Sequence, residues 1–213
     1  MPKFASVVLD VDSTLCGIEG VDWLAERCGG DIAQRTRQLT ERAMNGEIPL
    51  DSIYGERLAV LRPSRADIEA LADAYRERIA PGAADAIARL VAAGVRVVLV
   101  SGGIRQAIEP LATTLGVELH AVDVYFDREG DYKTFNRASP LATQQGKLGV
   151  VRALNLPRPA LAVGDGSTDV AMREAVDEFA ACTVFVRRHA VIAAAAREVA
   201  SYDALLELVL ESR

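Results

Sequence analysis

The chain has 213 residues, half of them hydrophobic, with 5% aromatic residues and a formal net charge of −6. That length buries a good core as one domain with an insertion or as two small ones, and the scattered Lys and Arg lack the basic patch of a nucleic-acid binder. No uncharged run approaches a membrane span, and Cys16, Cys28 and Cys182 are odd in number without metal-ligand spacing, which points to reduced thiols in a cytoplasmic protein.

The first predicted element is the apolar run Ser6-Val7-Val8-Leu9, which reads as a buried strand and ends in Asp10-Val11-Asp12-Ser13-Thr14. Strand side chains alternate faces, so Asp10 and Asp12 point the same way at the strand's carboxyl end, where open α/β sheets hold their ligands. Two carboxylates that close repel each other unless a cation or a shared proton offsets them. The pair therefore predicts a hard divalent metal, most simply Mg²⁺. Beyond it the periodicity turns helical. Val21, Leu24, Ala25 and Cys28 share a face, and Gly29-Gly30 stops that helix. Further helices are expected over 32–44, 50–60 and 64–79, the last opened by a Ser64/Asp67 capping box. Successive helices without a strand do not belong inside a parallel sheet. Residues 16–77 are therefore expected to form an inserted helical cap domain, with 1–15 and 78–213 as the α/β core.

From Pro81 helices and strands alternate. A helix over 83–93 leads to a strand over 95–100 and Ser101-Gly102-Gly103; a helix over 105–115 leads to a strand over 122–126 and a hairpin around Glu129-Gly130-Asp131. A helix from Lys147 to Leu154 precedes a strand over 160–163, which ends in Gly164-Asp165-Gly166-Ser167-Thr168-Asp169 and opens a helix over 170–175. A short strand near 179–181 and helices over 190–197 and 204–210 complete the pattern. Parallel strand ends lie along one edge of a sheet, so Asp10, Asp12, Ser101, Asp165 and Asp169 converge there, with Lys147 at a helix start. Carboxylates that hold a metal beside hydroxyls, amides and a lysine suit phosphoryl transfer, where catalysis is chiefly positioning and electrostatic stabilisation. Ser101 also suits the N-cap of the helix that follows it.

At these residues the chain resembles the haloacid dehalogenase superfamily of aspartyl-phosphate phosphatases, whose four motifs it carries in order as Asp10 to Thr14, Ser101-Gly102-Gly103, Lys147, and Gly164 to Asp169. The resemblance implies an α/β fold, a Rossmann-like parallel sheet core with an inserted helical cap. It implies that Asp10 attacks phosphorus, that Asp12 acts as general acid and then base, and that Ser101, Lys147 and the Gly102 amide bind phosphate oxygens. Mg²⁺ would be held by the Asp10 carboxylate, the Asp12 carbonyl and Asp165, with Thr14, Thr168 and Asp169 supporting them.

Within the superfamily, Glu19 and Arg57 align with positions that hold the amino group and carboxylate of O-phospho-L-serine. Gly103 would add a backbone contact to that carboxylate and Met44 an apolar wall, while Leu50 stands where close relatives often carry Phe. The implied activity is Mg²⁺-dependent hydrolysis of O-phospho-L-serine, in serine biosynthesis, by a cytoplasmic monomer or homodimer with no nucleic-acid or membrane partner. Two other readings stand beside it. One keeps the chemistry on another small phosphorylated metabolite, or transfers the phosphoryl group to an alcohol. The other is a non-catalytic, phospho-accepting signalling domain, against which Asp12 and the cap argue. A cap that opens and closes predicts hinges near Cys16-Gly17 and over 79–82.

Overall fold

A computed structural model of the chain describes residues 1–210. Its strands are β1 (Ser6–Leu9), β2 (Arg96–Ile104), β3 (Glu118–Val122), β4 (Val124–Phe126), β5 (Tyr132–Phe135), β6 (Ala160–Gly164), β7 (Glu178–Cys182) and β8 (Arg197–Val199). Its α-helices are α1 (Gly20–Cys28), α2 (Gly30–Met44), α3 (Tyr54–Leu61), α4 (Arg65–Glu77), α5 (Ala83–Ala92), α6 (Arg105–Leu115), α7 (Gly146–Ala153), α8 (Ser167–Val170), α9 (His189–Ala194) and α10 (Tyr202–Leu210). Among the described residues no helix is long and apolar enough to cross a membrane.

Six strands form one parallel sheet in the order β3-β2-β1-β6-β7-β8, and β4 and β5 make a separate antiparallel hairpin. β1 is central because every one of its side chains is buried, as a strand covered by helices on both faces requires. Its single polar residue, Ser6, is accommodated by a 2.7 Å bond from its hydroxyl to the Pro157 carbonyl. Leu9 lies level with Leu99 of β2 on one side and Val163 of β6 on the other, so Asp10, Ser101 and Asp165 lie at neighbouring points toward the carboxyl ends of these strands. The chain runs from β1 to β2 and β3 in one direction and continues from β6 in the other. β1 and β6 therefore flank the crevice where the strand order reverses, the place open α/β sheets use for ligands.

Helices α1 to α4 fall between β1 and β2 and form the cap, with α1 touching α2, α3 and α4. The chain enters and leaves this insertion side by side, since Cys16 and Ile79 pair in a short antiparallel bridge. α4 opens with the capping box its sequence announces: the Ser64 hydroxyl accepts from the Asp67 amide at 3.2 Å and the Asp67 carboxylate accepts from the Ser64 amide at 3.0 Å. Gly29, at φ +73°, joins α1 to α2.

The structure departs from the sequence expectations at the sheet edges. The strand expected over 122–126 is the junction of two: β3 closes one edge of the main sheet, and β4 belongs to the hairpin. β8 takes the opposite edge, where a helix was expected to reach residue 197; that helix, α9, stops at Ala194. The helix expected over 50–60 divides into a 3-10 turn at Leu50–Ser52 and α3. β2 runs on through Ser101 to Ile104, with an irregularity in its pairing with β3 between Val100 and Ile104.

Candidate active site

The loop after β1 is short and internally bonded. The Thr14, Leu15 and Cys16 amides all donate to the Val11 carbonyl, and Ser13 adopts φ +54° where the chain reverses. Distant elements fasten this turn. The Thr14 hydroxyl donates to Asp165 at 2.7 Å, and the Thr14 carbonyl accepts from the Tyr202 hydroxyl at 3.2 Å and from Cys182 Sγ at 3.8 Å.

Asp10, Asp165 and Asp169 are buried, and each offers an oxygen within 4.8 Å of the others. Lys147, at the start of α7, lies 2.6 Å from Asp10 and 2.6 Å from Asp169. Burial and the facing Asp169 push the Asp10 carboxyl up to about 7, against the pull of Lys147. Burial also works against the Lys147 ammonium, but Asp10 and Asp169 together outweigh it and hold its pKa above the usual lysine value. Asp169 has both oxygens in use: Oδ1 accepts from Lys147, and Oδ2 accepts from the Asp165 and Gly166 amides at 3.1 and 2.8 Å. A Cβ on Gly164 would lie 2.2 Å from Asp169 Cγ, so only glycine lets that carboxylate reach the amides.

Arg188, just before α9, donates to the other Asp165 oxygen and lies 3.8 Å from Glu19. An all-oxygen set that already draws two protein cations fits a hard divalent cation, with Asp10 and Asp165 placed to hold it. The carboxylate of Asp12 stands apart from this cluster. Its Oδ1 accepts from the Tyr75 hydroxyl at 2.6 Å and its Oδ2 from the Gly20 amide at 3.1 Å. Burial, with Asp10 adding to it, raises the Asp12 carboxyl to about 6, while the bond from Tyr75 opposes the rise.

One cavity joins this floor to the cap. Asp10, Asp12, Ser101, Gly102, Gly103, Lys147 and Thr168 line it below; Glu19, Met44, Leu50, Tyr54 and Arg57 line it from the cap. Met44 packs so closely on the Gly166 loop that a Cβ there would sit 2.9 Å from its sulfur. Polar bonds tie the cap down beside it: Ser167 Oγ donates to the Ala43 carbonyl at 2.8 Å and accepts from Gln144 at 3.0 Å, and the Gln144 carbonyl oxygen accepts from the Leu50 amide at 3.3 Å.

Glu19 and Arg57 share the cavity without pairing to each other. Glu19 accepts from Ser13 Oγ at 2.7 Å, and burial followed by the nearby Asp12 raises its carboxyl to about 7. Arg57 donates through Nη1 to Thr40 Oγ1 at 2.5 Å, and Thr40 donates on to Asp22 at 2.6 Å. Ser101 is not an N-cap. Its Oγ accepts from the Gly103 amide at 2.9 Å, and Ile104 holds the cap position of α6 without a side-chain bond. That bond leaves the Ser101 proton free to donate into the cavity, and it occupies the Gly103 amide expected to face a carboxylate.

Tyr75, Arg188, Asp22, Thr40 and Tyr54 escaped the sequence reading. Tyr75 and Thr40 sit at ordinary buried positions of amphipathic helices, and Arg188 sits in a charged stretch with no motif spacing. Asp22, one turn after Glu19, was the only one with a signal, a second carboxylate at the start of α1.

The family of haloacid dehalogenase-like hydrolases matches residues 7–174. The chloroplastic phosphoserine phosphatase of Arabidopsis thaliana is 34% identical over 175 residues, which are 79% of this chain and 59% of that protein, so the chain spans less than two thirds of that relative. Human phosphoserine phosphatase is 33% identical over 182 residues, 82% of this chain and 79% of its own. A solved phosphoserine phosphohydrolase-like protein of Francisella tularensis superposes with a TM-score of 0.87 at 22% identity, over 95% of this chain and 98% of that one, which is a likeness of fold.

Proposed function

Because the chain belongs to the haloacid dehalogenase-like hydrolase family, we propose that it hydrolyses O-phospho-L-serine to serine and phosphate, with Mg²⁺, through an aspartyl phosphate on Asp10. The observation that supports this reading above the others is the single cavity that runs from Asp10 and Lys147 to Glu19 and Arg57. A carboxylate and a guanidinium beyond the phosphate site match the ammonium and carboxylate of an amino acid.

Asp10 attacks phosphorus in line, forming an Oδ–P bond as the bond from phosphorus to the serine oxygen breaks. Asp12 gives its proton to that leaving oxygen. It then takes a proton from a water, which attacks phosphorus, releases phosphate and restores Asp10. Lys147 and the Ser101 hydroxyl offset the charge of the phosphate oxygens, and the closed cap keeps bulk water from the acyl phosphate. Asp10, Asp165 and the Asp12 carbonyl would hold Mg²⁺, which would supply further positive charge to the phosphate site.

The test is phosphate release from O-phospho-L-serine beside O-phosphoethanolamine, which lacks the carboxylate, and phosphoglycolate, which lacks the amino group. A preference of at least about 10²-fold for phosphoserine is expected, as for a site built to pair buried polar groups, and Arg57→Ala should remove most of it. Comparable rates on all three esters would move the assignment to another small phosphorylated metabolite.

A further inference from the structure

Among the described residues, two buried polar atoms of the cavity roof have no hydrogen-bond partner: the Tyr54 hydroxyl and Arg57 Nε. Both side chains line the cavity above Asp10 and Asp12. They stand three residues apart on α3, a spacing that brings side chains together on one helix face. Neither is free to turn away. The Tyr54 ring meets Phe135 of β5 edge-on with centroids 5.3 Å apart, and Arg57 is held through Nη1 by Thr40.

Tyr54 is 2% exposed and Arg57 6%, so bulk solvent does not complete their bonding. Folded proteins pair nearly all buried polar groups, and two adjacent exceptions in one cavity wall mark the place where a ligand supplies the acceptors. Burial holds the Tyr54 phenol well above its ordinary pKa, so it keeps a proton to donate. One charged and one neutral donor side by side suit an anion with two acceptor oxygens. The phosphate already has Lys147 and Ser101 at the other end of the cavity.

We propose that Tyr54 is a specificity-determining residue whose hydroxyl donates to the carboxylate of the bound phosphate ester, next to Arg57 Nε. The inference rests on the substrate reading above and deepens it: the carboxylate is held by two neighbouring residues of one helix, not by Arg57 alone.

Tyr54→Phe keeps the ring and its contact with Phe135 and removes only the donor. Wild type and variant are compared on O-phospho-L-serine and O-phosphoethanolamine, with thermal unfolding of both proteins recorded alongside. The expected result is an increase of about tenfold in KM for phosphoserine with kcat nearly constant, the size of effect that a lost bond to a charged group gives. Phosphoethanolamine should lose less than about twofold, so the preference between the two esters falls about tenfold. Equal losses on both esters, or tighter binding of phosphoserine by the variant, would overturn the proposal. If the wild type shows no preference for phosphoserine, the substrate reading fails by itself. The Tyr54 proposal is then decided on the best carboxylate-bearing ester against its decarboxylated analogue, and an unchanged ratio in the variant overturns it.

Discussion

The Tyr75 hydroxyl lies 2.6 Å from Asp12 Oδ1, while the Gly20 amide donates to the other oxygen of the same carboxylate. The two donors aim the proposed general acid from the cap and fix both of its oxygens. A Cβ on Gly20 would lie 2.2 Å from the Tyr75 hydroxyl, so the glycine and the tyrosine work as a unit. Tyr75→Phe should lower kcat by about 10 to 100-fold with KM little changed, as loss of an orienting partner does, and Gly20→Ala should reproduce the effect. Steady-state kinetics on the two variants decides it; an undiminished kcat in Tyr75→Phe would reduce the hydroxyl to packing.

Mg²⁺ should stabilise the folded chain by mass action. At a concentration about a hundredfold above its dissociation constant the gain is about 2.7 kcal/mol, read as a rise in thermal midpoint that a chelator reverses. Asp165→Asn should abolish most of that rise, because it removes one of the three clustered carboxylates able to hold the cation. A full shift in the variant would put the ion elsewhere.

Ser167 and Gln144 bind the cap where α2 ends and where the 3-10 turn at Leu50 begins. Ser167→Ala takes away the bond to the Ala43 carbonyl and the acceptor for Gln144. Hydrogen exchange of residues 43–50 should then quicken, and KM should rise by about three to tenfold, since each bond contributes about 1 kcal/mol to the closed form. Unchanged exchange would show that apolar contacts such as Met44 on Gly166 hold the cap alone.

The capping box of α4 makes a pH-dependent contribution to stability. Bonds from Ser64, and more weakly the pull of Arg27, hold the Asp67 carboxyl below the usual carboxylate range. A depressed carboxyl stabilises above its unfolded pKa, and that stability is lost as pH falls through its folded value. Ser64→Ala should cost about 1 kcal/mol at neutral pH. Asp67→Asn should be less stable than wild type at pH 7 and converge on it in acid below about pH 4, as followed by urea unfolding across the range. A gap that persisted in acid would mean that the Asp67 charge plays no part.

The gathering of polar side chains at the sheet edge was readable because motif and architecture coincide there. An apolar run that stops at two alternating carboxylates has few structural explanations, and the parallel sheet brings Ser101, Lys147 and Asp165 to it from far along the chain. What stayed hidden was relational. Nothing in the period of α4 separates Tyr75, which reaches Asp12, from its neighbours Leu71 and Ala74, which only fill the core. The edge strands β3 and β8 were missed for a different reason: the half-buried or exposed starts Glu118-Leu119-His120 and Arg197-Glu198 lack the continuous apolar pattern of a buried strand. Ser101 suited a cap by residue type, but the local course of β2 turned its oxygen onto Gly103.

The turn that carries Asp10 and Asp12 is tied through Thr14 to Asp165, Cys182 and Tyr202, partners 151, 168 and 188 residues further along. Contacts so distant in sequence form late and slowly. A chain emerging from the ribosome therefore carries Asp10 well before α10, which holds the turn through Tyr202, has been made. The proposed phosphatase activity should therefore wait for α10, and a nascent chain that stops short of it should leave phosphorylated metabolites untouched.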